Sequence, residues 1–229
     1  MSQRTFNEIP PIVSASEPHM ALLFLLDVSG SMIENGAINS LNASINKFKE
    51  QVCTDSRTTE ILDVAIVTFN HETQVVMPFT PVAYMEPVNL VASGGTEMAP
   101  AVQVALDMVD ERVRCYRHAG TEAYKPWIFM ISDGYGGDIS AVSELVRQKE
   151  KDGHLKFWSL GVEGYDSKIL HQLSGDKVLK LDGYDFSEFF NWISWGRRTP
   201  NYPYEPGEKP QLPRLPENIS LDNSDWWLD

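Results

Sequence analysis

The chain has few of the features that mark exported, membrane-bound or disulfide-rich proteins. Its 229 residues include only two cysteines, Cys53 and Cys115, which show neither metal-ligand nor disulfide-framework spacing. No apolar run is close to the length of a membrane span, about 18 residues. The N-terminus lacks the apolar core of a signal peptide. We therefore expect a cytoplasmic protein with two free thiols and no membrane association.

Positive charge is also scarce. There are 19 Lys and Arg residues against 32 Asp and Glu residues, which gives a formal net charge of −13. Nonspecific nucleic-acid binding needs a cationic surface, so this class of partner is not expected. With 42% hydrophobic residues, the chain is able to bury a sizeable core.

The common sequence motifs of catalysis are missing. There is no Gly-x₄-Gly-Lys-Ser/Thr phosphate loop, and no Gly-x-Ser-x-Gly nucleophile elbow. The histidines do not pair with a cysteine or with one another at metal-ligand spacing, and we predict that they lie at the surface. They are His19, His71, His118, His154 and His171.

Apolar runs alternate with helical patterns along most of the chain, which predicts a doubly wound α/β fold. The sheet should be mostly parallel with helices on both faces, and a hairpin should add one antiparallel edge strand at 73–79. The predicted strands are 21–26, 63–69, 73–79, 127–132, 157–161 and 178–181. The predicted helices are 38–52, 97–113, 139–152 and 167–173, and a last helix that Asp185 caps and that runs to Trp195.

The composition predicts three parts: an N-terminal extension (1–19), one domain (20–198) and a proline-rich, acidic C-terminal tail (199–229). The tail ends in Trp226, Trp227 and Leu228. Because indoles left in water forgo burial of a large apolar area, we expect the tail to be an ordered arm or a docking peptide. It would pack on the domain, on a partner or on a second copy of the chain. The sequence does not indicate the oligomeric state.

Five oxygen-bearing residues follow strands or precede a helix. Asp27, Ser29 and Ser31 follow the first strand, Thr96 precedes a helix, and Asp133 ends a later strand. Mg²⁺ prefers six oxygen ligands in an octahedron, and strand ends are where open parallel sheets bind ligands. We therefore predict an Mg²⁺ or Mn²⁺ site with one position open. Taken singly, the Asp-Ser-Gly-Ser run could be a turn, Thr96 a helix N-cap and Asp133 a turn residue.

Two neighbours of these residues leave alternatives open. The carboxylate of Glu97, directly after Thr96, either points away in the first helical turn or lies near the metal. Tyr135, two residues after Asp133, either overhangs the open position or is a solvent-facing loop aromatic.

At these residues the chain resembles von Willebrand factor A (vWA) domains with a metal-ion-dependent adhesion site (MIDAS). The pattern is Asp-x-Ser-x-Ser, a distant Thr and a distant Asp, matched here by Asp27, Ser29, Ser31, Thr96 and Asp133. The resemblance covers roughly residues 20–197. In length and in its proline-rich end, the chain is similar to the bacterial TerY/YegL-like group associated with tellurium-resistance gene neighbourhoods.

The resemblance implies a metal-dependent adhesion or scaffold module that engages an Asp or Glu of a protein partner. It also implies a role in an intracellular stress-response or tellurium-resistance complex. The residues do not suggest an enzyme, because a phosphatase of the haloacid dehalogenase type needs a second Asp where Ser29 stands. The alternatives are a metal-dependent phosphohydrolase and a structural vWA domain that acts through its tail.

Overall fold

The computed structural model describes residues 17–133, 136–195 and 214–222. The strands in these ranges are β1 (Met20–Asp27), β2 (Leu62–Phe69), β3 (Thr73–Pro81), β4 (Trp127–Ser132), β5 (Lys156–Gly161), β6 (Val178–Leu181) and β7 (Ile219–Leu221). The α-helices are α1 (Ala37–Val52), α2 (Ser56–Ile61), α3 (Met98–His118), α4 (Ser140–Lys151), α5 (Ser167–Ser174) and α6 (Ser187–Trp195). Short 3₁₀ helices lie at Gly30–Gly36 and Val82–Tyr84.

The seven strands form one sheet in the order β3-β2-β1-β4-β5-β6-β7. The five central strands are parallel, and β3 pairs antiparallel with β2 as the hairpin pattern predicted. The predicted doubly wound fold is therefore confirmed. β7, at the opposite edge, pairs antiparallel with β6 and was not predicted.

Helices cover both faces of the sheet, which explains why β1 and β2 are apolar along their whole length. Every residue of these two strands is buried, as expected for parallel strands that pack on both sides. α1 and α6 pack on one face, and α3, α4 and α5 pack on the other. Among the helices of the described ranges, none is both long and apolar enough to cross a membrane.

The order of the strands places a crevice between β1 and β4. The chain moves outward from β1 to β2 on one side, and from β4 to β5 and β6 on the other. Because the crossovers leave in opposite directions, the carboxyl ends of β1 and β4 border an open crevice, where such sheets bind ligands. Asp27 ends β1 and Asp133 directly follows β4, so the fold brings these two carboxylates to one crevice.

The prediction that all five histidines lie at the surface is wrong for two of them. His19, just before β1, is fully buried, and His171, in α5, is 3% exposed. The His19 ring packs at a tilt of 34° against the ring of Tyr116 in α3, and its Nδ1 lies 3.6 Å from Asp63 Oδ2. The histidine pattern missed these positions because burial here depends on partners that are distant in sequence. Cys53 and Cys115 are half-buried free thiols, as predicted.

Candidate metal site

Asp27 is the buried floor of the crevice. The backbone N–H of Ser29 donates to its Oδ1 (2.8 Å), and the hydroxyl of Ser132 donates to its Oδ2 (2.7 Å). Burial raises the pKa of Asp27 to about 6, and the neighbouring carboxylate of Asp133 adds to the rise, although the bonds from Ser132 and Ser29 oppose it. Within the described ranges, no Lys, Arg or His forms an ion pair with Asp27. A buried carboxylate without a cation is a group that a metal ion would stabilise.

A chain of oxygen atoms runs from Ser29 through Ser31 to Asp133. The two hydroxyl oxygens lie 3.0 Å apart, and the Ser31 hydroxyl donates to Asp133 Oδ2. Ser29 lies between the end of β1 and the 3₁₀ helix Gly30–Gly36, and Ser31 lies in the first turn of that helix, so the start of the helix places the two hydroxyls side by side. The structure thus brings together four of the five predicted site residues.

Thr96, the fifth predicted residue, lies on a loop that packs against the Asp27–Ser31 turn. The N–H of Ser93 donates to the carbonyl of Val28 (2.8 Å), and the N–H of Gly30 donates to the carbonyl of Gly94 (2.9 Å). Thr96 itself makes no hydrogen bond to the other four residues in the described ranges. It is not the helix cap either, because α3 begins at Met98 and its N-cap position is Glu97.

The loop that carries Thr96 needs glycine at position 94. Gly94 has a φ of +74°, in the left-handed region that side chains rarely adopt. A Cβ at this position would also lie 2.3 Å from Nδ1 of His71, at the turn between β2 and β3. His71 is exposed, as predicted, but it borders the Thr96 loop.

Asn70 holds both ends of this loop, and sequence reasoning missed it. Its carbonyl accepts from the N–H of Glu97 (2.6 Å), and its side-chain amide donates to the carbonyl of Ser93 (2.9 Å). Its own Oδ1 accepts from the N–H of Glu72 (2.9 Å), which fixes the amide plane. Asn70 follows β2 directly, so it ties the Thr96 loop to the sheet.

The donor set fits a hard divalent cation. In an Mg²⁺ octahedron with bonds of about 2.0–2.1 Å, adjacent ligands lie about 2.9 Å apart, and the Ser29 and Ser31 hydroxyl oxygens are separated by 3.0 Å. No group of three or more His, Cys, Asp or Glu side chains in the described part of the chain could hold a metal ion. A site here would therefore depend on hydroxyl oxygens, which suit Mg²⁺ or Mn²⁺ better than softer metals.

Exposure increases from the floor of the crevice to its mouth. Asp27, Ser29 and Asp133 are buried, Thr96 is half-buried and Ser31 is exposed. The crevice is thus accessible from the side of the hydroxyls. Glu97 is exposed at the N-cap position of α3, just before the first helical turn in which one alternative had placed it. Tyr135 lies outside the described residues.

Replacing Asn70 should loosen the loop that carries Thr96. We predict that Asn70→Ala weakens Mg²⁺ affinity about tenfold, because residues that orient metal ligands without touching the metal contribute on this scale. Asn42→Ala is the matched control, since Asn42 makes two similar bonds (2.9 and 2.7 Å) to the backbone of Leu90, on the connection that leads to Thr96. This variant should lose thermal stability but keep its metal affinity. Calorimetric titration of both variants measures the difference, and equal affinities would contradict the role of Asn70.

Solved structures of other proteins share this fold. The TRAP protein of Plasmodium vivax, in a manganese-loaded form, is 13% identical with a TM-score of 0.56, over 77% of this chain and 73% of that one. BatB of Bacteroides thetaiotaomicron is 15% identical with a TM-score of 0.54, over 77% of this chain and 96% of that one. A proximal thread matrix protein of the mussel byssus, with zinc in its MIDAS motif, is 19% identical with a TM-score of 0.51, over 80% of this chain.

The chain spans only 46% of the length of that mussel protein. At these identities the structural likeness establishes the fold alone. No curated protein matches the chain. The family model of the von Willebrand factor type A domain matches residues 21–190, from β1 into α6, and includes all five candidate metal ligands. The chain therefore belongs to the von Willebrand factor type A domain family.

Proposed function

We propose that this protein is a metal-dependent protein-binding module. Asp27, Ser29, Ser31, Thr96 and Asp133 would hold Mg²⁺ or Mn²⁺, and an Asp or Glu of a protein partner would complete the coordination. The observation that carries the proposal is the convergence of Asp27, Ser29, Ser31 and Asp133 in one crevice. The manganese-loaded TRAP protein and the zinc-bound mussel protein support it by analogy.

The charges at the site support binding of a carboxylate. Three of the five candidate ligands are neutral hydroxyls, and the two carboxylates would balance the charge of a divalent cation without exceeding it. The open coordination position could therefore still take an anionic oxygen. The net charge of this chain is −13, which would repel an acidic side chain of a partner. When bound, the metal supplies the positive charge that attracts it. The protein contributes the fixed hydroxyls, the buried floor and a mouth that is open at Ser31.

The arrangement supports binding and not catalysis. In the described ranges, neither Ser29 nor Ser31 is hydrogen-bonded to a histidine or a lysine that could act as its general base. We place the module in the cytoplasm, in a stress-response or tellurium-resistance complex like those of the TerY/YegL-like group. Incubation with a generic phosphoester in Mg²⁺ tests the alternative of a phosphohydrolase, and turnover lost in Asp27→Asn would favour that alternative.

The proposal predicts that partner capture depends on both the metal and Thr96. Proteins captured by the immobilised wild-type chain from a lysate of its native host should be released by EDTA and should return with added Mg²⁺. Thr96→Ala should lose the same proteins, because its hydroxyl is one of the five proposed metal ligands. Thr80→Ala is the control. Thr80 lies on β3 opposite Val64, near the amino ends of the parallel strands, whereas the candidate metal site lies at their carboxyl ends. Capture that survives EDTA and Thr96→Ala would instead favour binding through the tail.

A further inference from the structure

The described C-terminal segment, residues 214–222, is held at the edge of the sheet. β7 pairs with β6 through Ile219, Ser220 and Leu221, and the N–H of Asp222 extends the pairing to the carbonyl of Val178 (2.9 Å). Ile219 is buried, with 4% of its surface exposed. The segment is thus an integral strand of the sheet, although residues 196–213 separate it from α6 in sequence.

Two hydroxyls, one just before α5 and one at its start, donate to the carboxylate of Asp222, and a histidine from the last turn of α5 lies beside it. The Tyr165 hydroxyl and the Ser167 hydroxyl both donate to Asp222 Oδ2 (2.7 Å each). Nε2 of the buried His171 lies 3.3 Å from the same oxygen. Burial and the proximity of Asp222 raise the pKa of Tyr165, which keeps its hydroxyl protonated as a donor. This cluster is a specific carboxylate site, occupied by a residue of the same chain.

The loop between β5 and α5 connects this cluster to the candidate metal site. The N–H of Asp166, which lies between Tyr165 and Ser167, donates to the carbonyl of Asp133 (2.8 Å). The N–H of Val162 donates to the carbonyl of Ser132 (3.1 Å). The Tyr165 ring packs tightly over Gly161, since a Cβ there would meet the ring at 2.5 Å. The loop is therefore held by Asp222 on one side, and it holds the backbone of Asp133 on the other.

We propose that Asp222 is a positioning residue for the metal site, so that docking of the C-terminal segment and metal affinity are coupled. The inference rests on the proposed metal binding. When Asp222 is bound, Tyr165 and Ser167 are fixed and Asp166 anchors the carbonyl of Asp133. When Asp222 is released, the anchor loosens and the Asp133 carboxylate is less well placed beside Ser31. Because coupling is reciprocal, metal binding in turn stabilises the docked segment.

The test uses the full chain with Asp222→Asn, and Glu217→Gln as the control. Glu217 is an exposed acid of the same segment, so its variant removes the same charge without touching the cluster. We expect Asp222→Asn to raise the Kd for Mg²⁺ about threefold to tenfold, which is less than the about 10–100-fold of residues that orient ligands directly. Glu217→Gln should match the wild type. Tyr165→Phe, which removes one donor, should give a smaller shift in the same direction.

The effect of Mg²⁺ on hydrogen exchange of the β7 amides is a second test. If Asp222 had only a structural role, Mg²⁺ would not change these exchange rates. Added Mg²⁺ should slow this exchange in the wild type, and should slow it less in Asp222→Asn. If the wild type binds Mg²⁺ but Asp222→Asn and Tyr165→Phe bind as Glu217→Gln does, the coupling is overturned and the proposed function stands. If the wild type does not bind Mg²⁺ or Mn²⁺ at all, the proposed function and the coupling are both overturned.

Discussion

Asp27→Asn is expected to abolish metal binding without weakening the fold. The substitution keeps the shape of the side chain, and the Ser132 hydroxyl is able to turn and accept from the new amide. It removes the ionised oxygens at the floor of the crevice, so we expect Mg²⁺ affinity to fall by at least about 100-fold, more than for groups that only orient ligands. Calorimetric titration measures this loss, and an unchanged affinity would remove Asp27 from the site.

The thermal stability of the same variant, measured in EDTA, separates ligand loss from unfolding. The pKa of Asp27 is raised to about 6 by burial, and each pKa unit is about 1.4 kcal/mol. Ionisation at neutral pH therefore destabilises the metal-free fold, and the neutral Asn should raise Tm or leave it unchanged. Asp107→Asn, an exposed acid on α3, is the control that should alter neither affinity nor Tm. A Tm well below that of the wild type would show that Asp27 is mainly structural.

Arg112→Met is expected to give the largest loss of stability. Arg112 and Asp63 are both buried, and the guanidinium donates to Asp63 Oδ2 through Nε (3.1 Å) and Nη2 (2.7 Å). Tyr116 donates to the same oxygen at 2.5 Å. Removing the cation leaves a buried carboxylate uncompensated, which costs about 3–5 kcal/mol. Urea unfolding at pH 7 should show this loss, with a fall in Tm of roughly 10 °C.

The pH dependence distinguishes charge from packing in this pair. Burial alone would raise the pKa of Asp63, but His19, Arg112 and Tyr116 outweigh it and hold the pKa below its ordinary value. In the wild type, Asp63 therefore stabilises the fold above its unfolded pKa, and this stabilisation is lost as the pH falls through the folded pKa. In Arg112→Met, burial should dominate and raise the pKa of Asp63. Protonation would then remove the buried negative charge and its cost to stability.

The difference in the free energy of unfolding between the wild type and Arg112→Met should accordingly be large at pH 7 and smaller near pH 4.5. The double variant Asp63→Asn with Arg112→Met should recover part of the loss, because it leaves no buried charge. An equal difference in the free energy of unfolding at both pH values would mean that Arg112 acts through packing alone.

Much of the fold follows from local sequence pattern. β1 and β4 were predicted because their apolar runs are continuous, and α1 because its apolar residues recur on one helical face. α2 was missed, since Ser56–Ile61 is short and polar and is capped only by Asp55, whose Oδ1 accepts from the N–H of Arg57. β7 was missed because three residues in a proline-rich stretch become a strand only by pairing with β6.

The residues of the candidate site likewise fall into those that local sequence predicts and those that depend on distant contacts. Asp27, Ser29, Ser31 and Asp133 were predictable, because strand ends place them and a parallel sheet aligns those ends. The residues that support them were not predictable. Asn70 and Ser132 act through hydrogen bonds to residues that are distant in sequence, and nothing in their sequence neighbourhood marks them. The link from Asp222 to Asp133 depends on β7, which the sequence pattern did not reveal.

Whether Asp27, Ser29, Ser31, Thr96 and Asp133 hold a divalent cation is decided by a crystal structure of the protein soaked in Mn²⁺. The anomalous difference map should show one strong peak in the crevice, within coordination distance of the Ser29 and Ser31 hydroxyl oxygens. The peak should vanish in crystals of Asp27→Asn. A map with no peak there at saturating Mn²⁺, or with its strongest peak elsewhere on the chain, would show that these residues do not form the cation site.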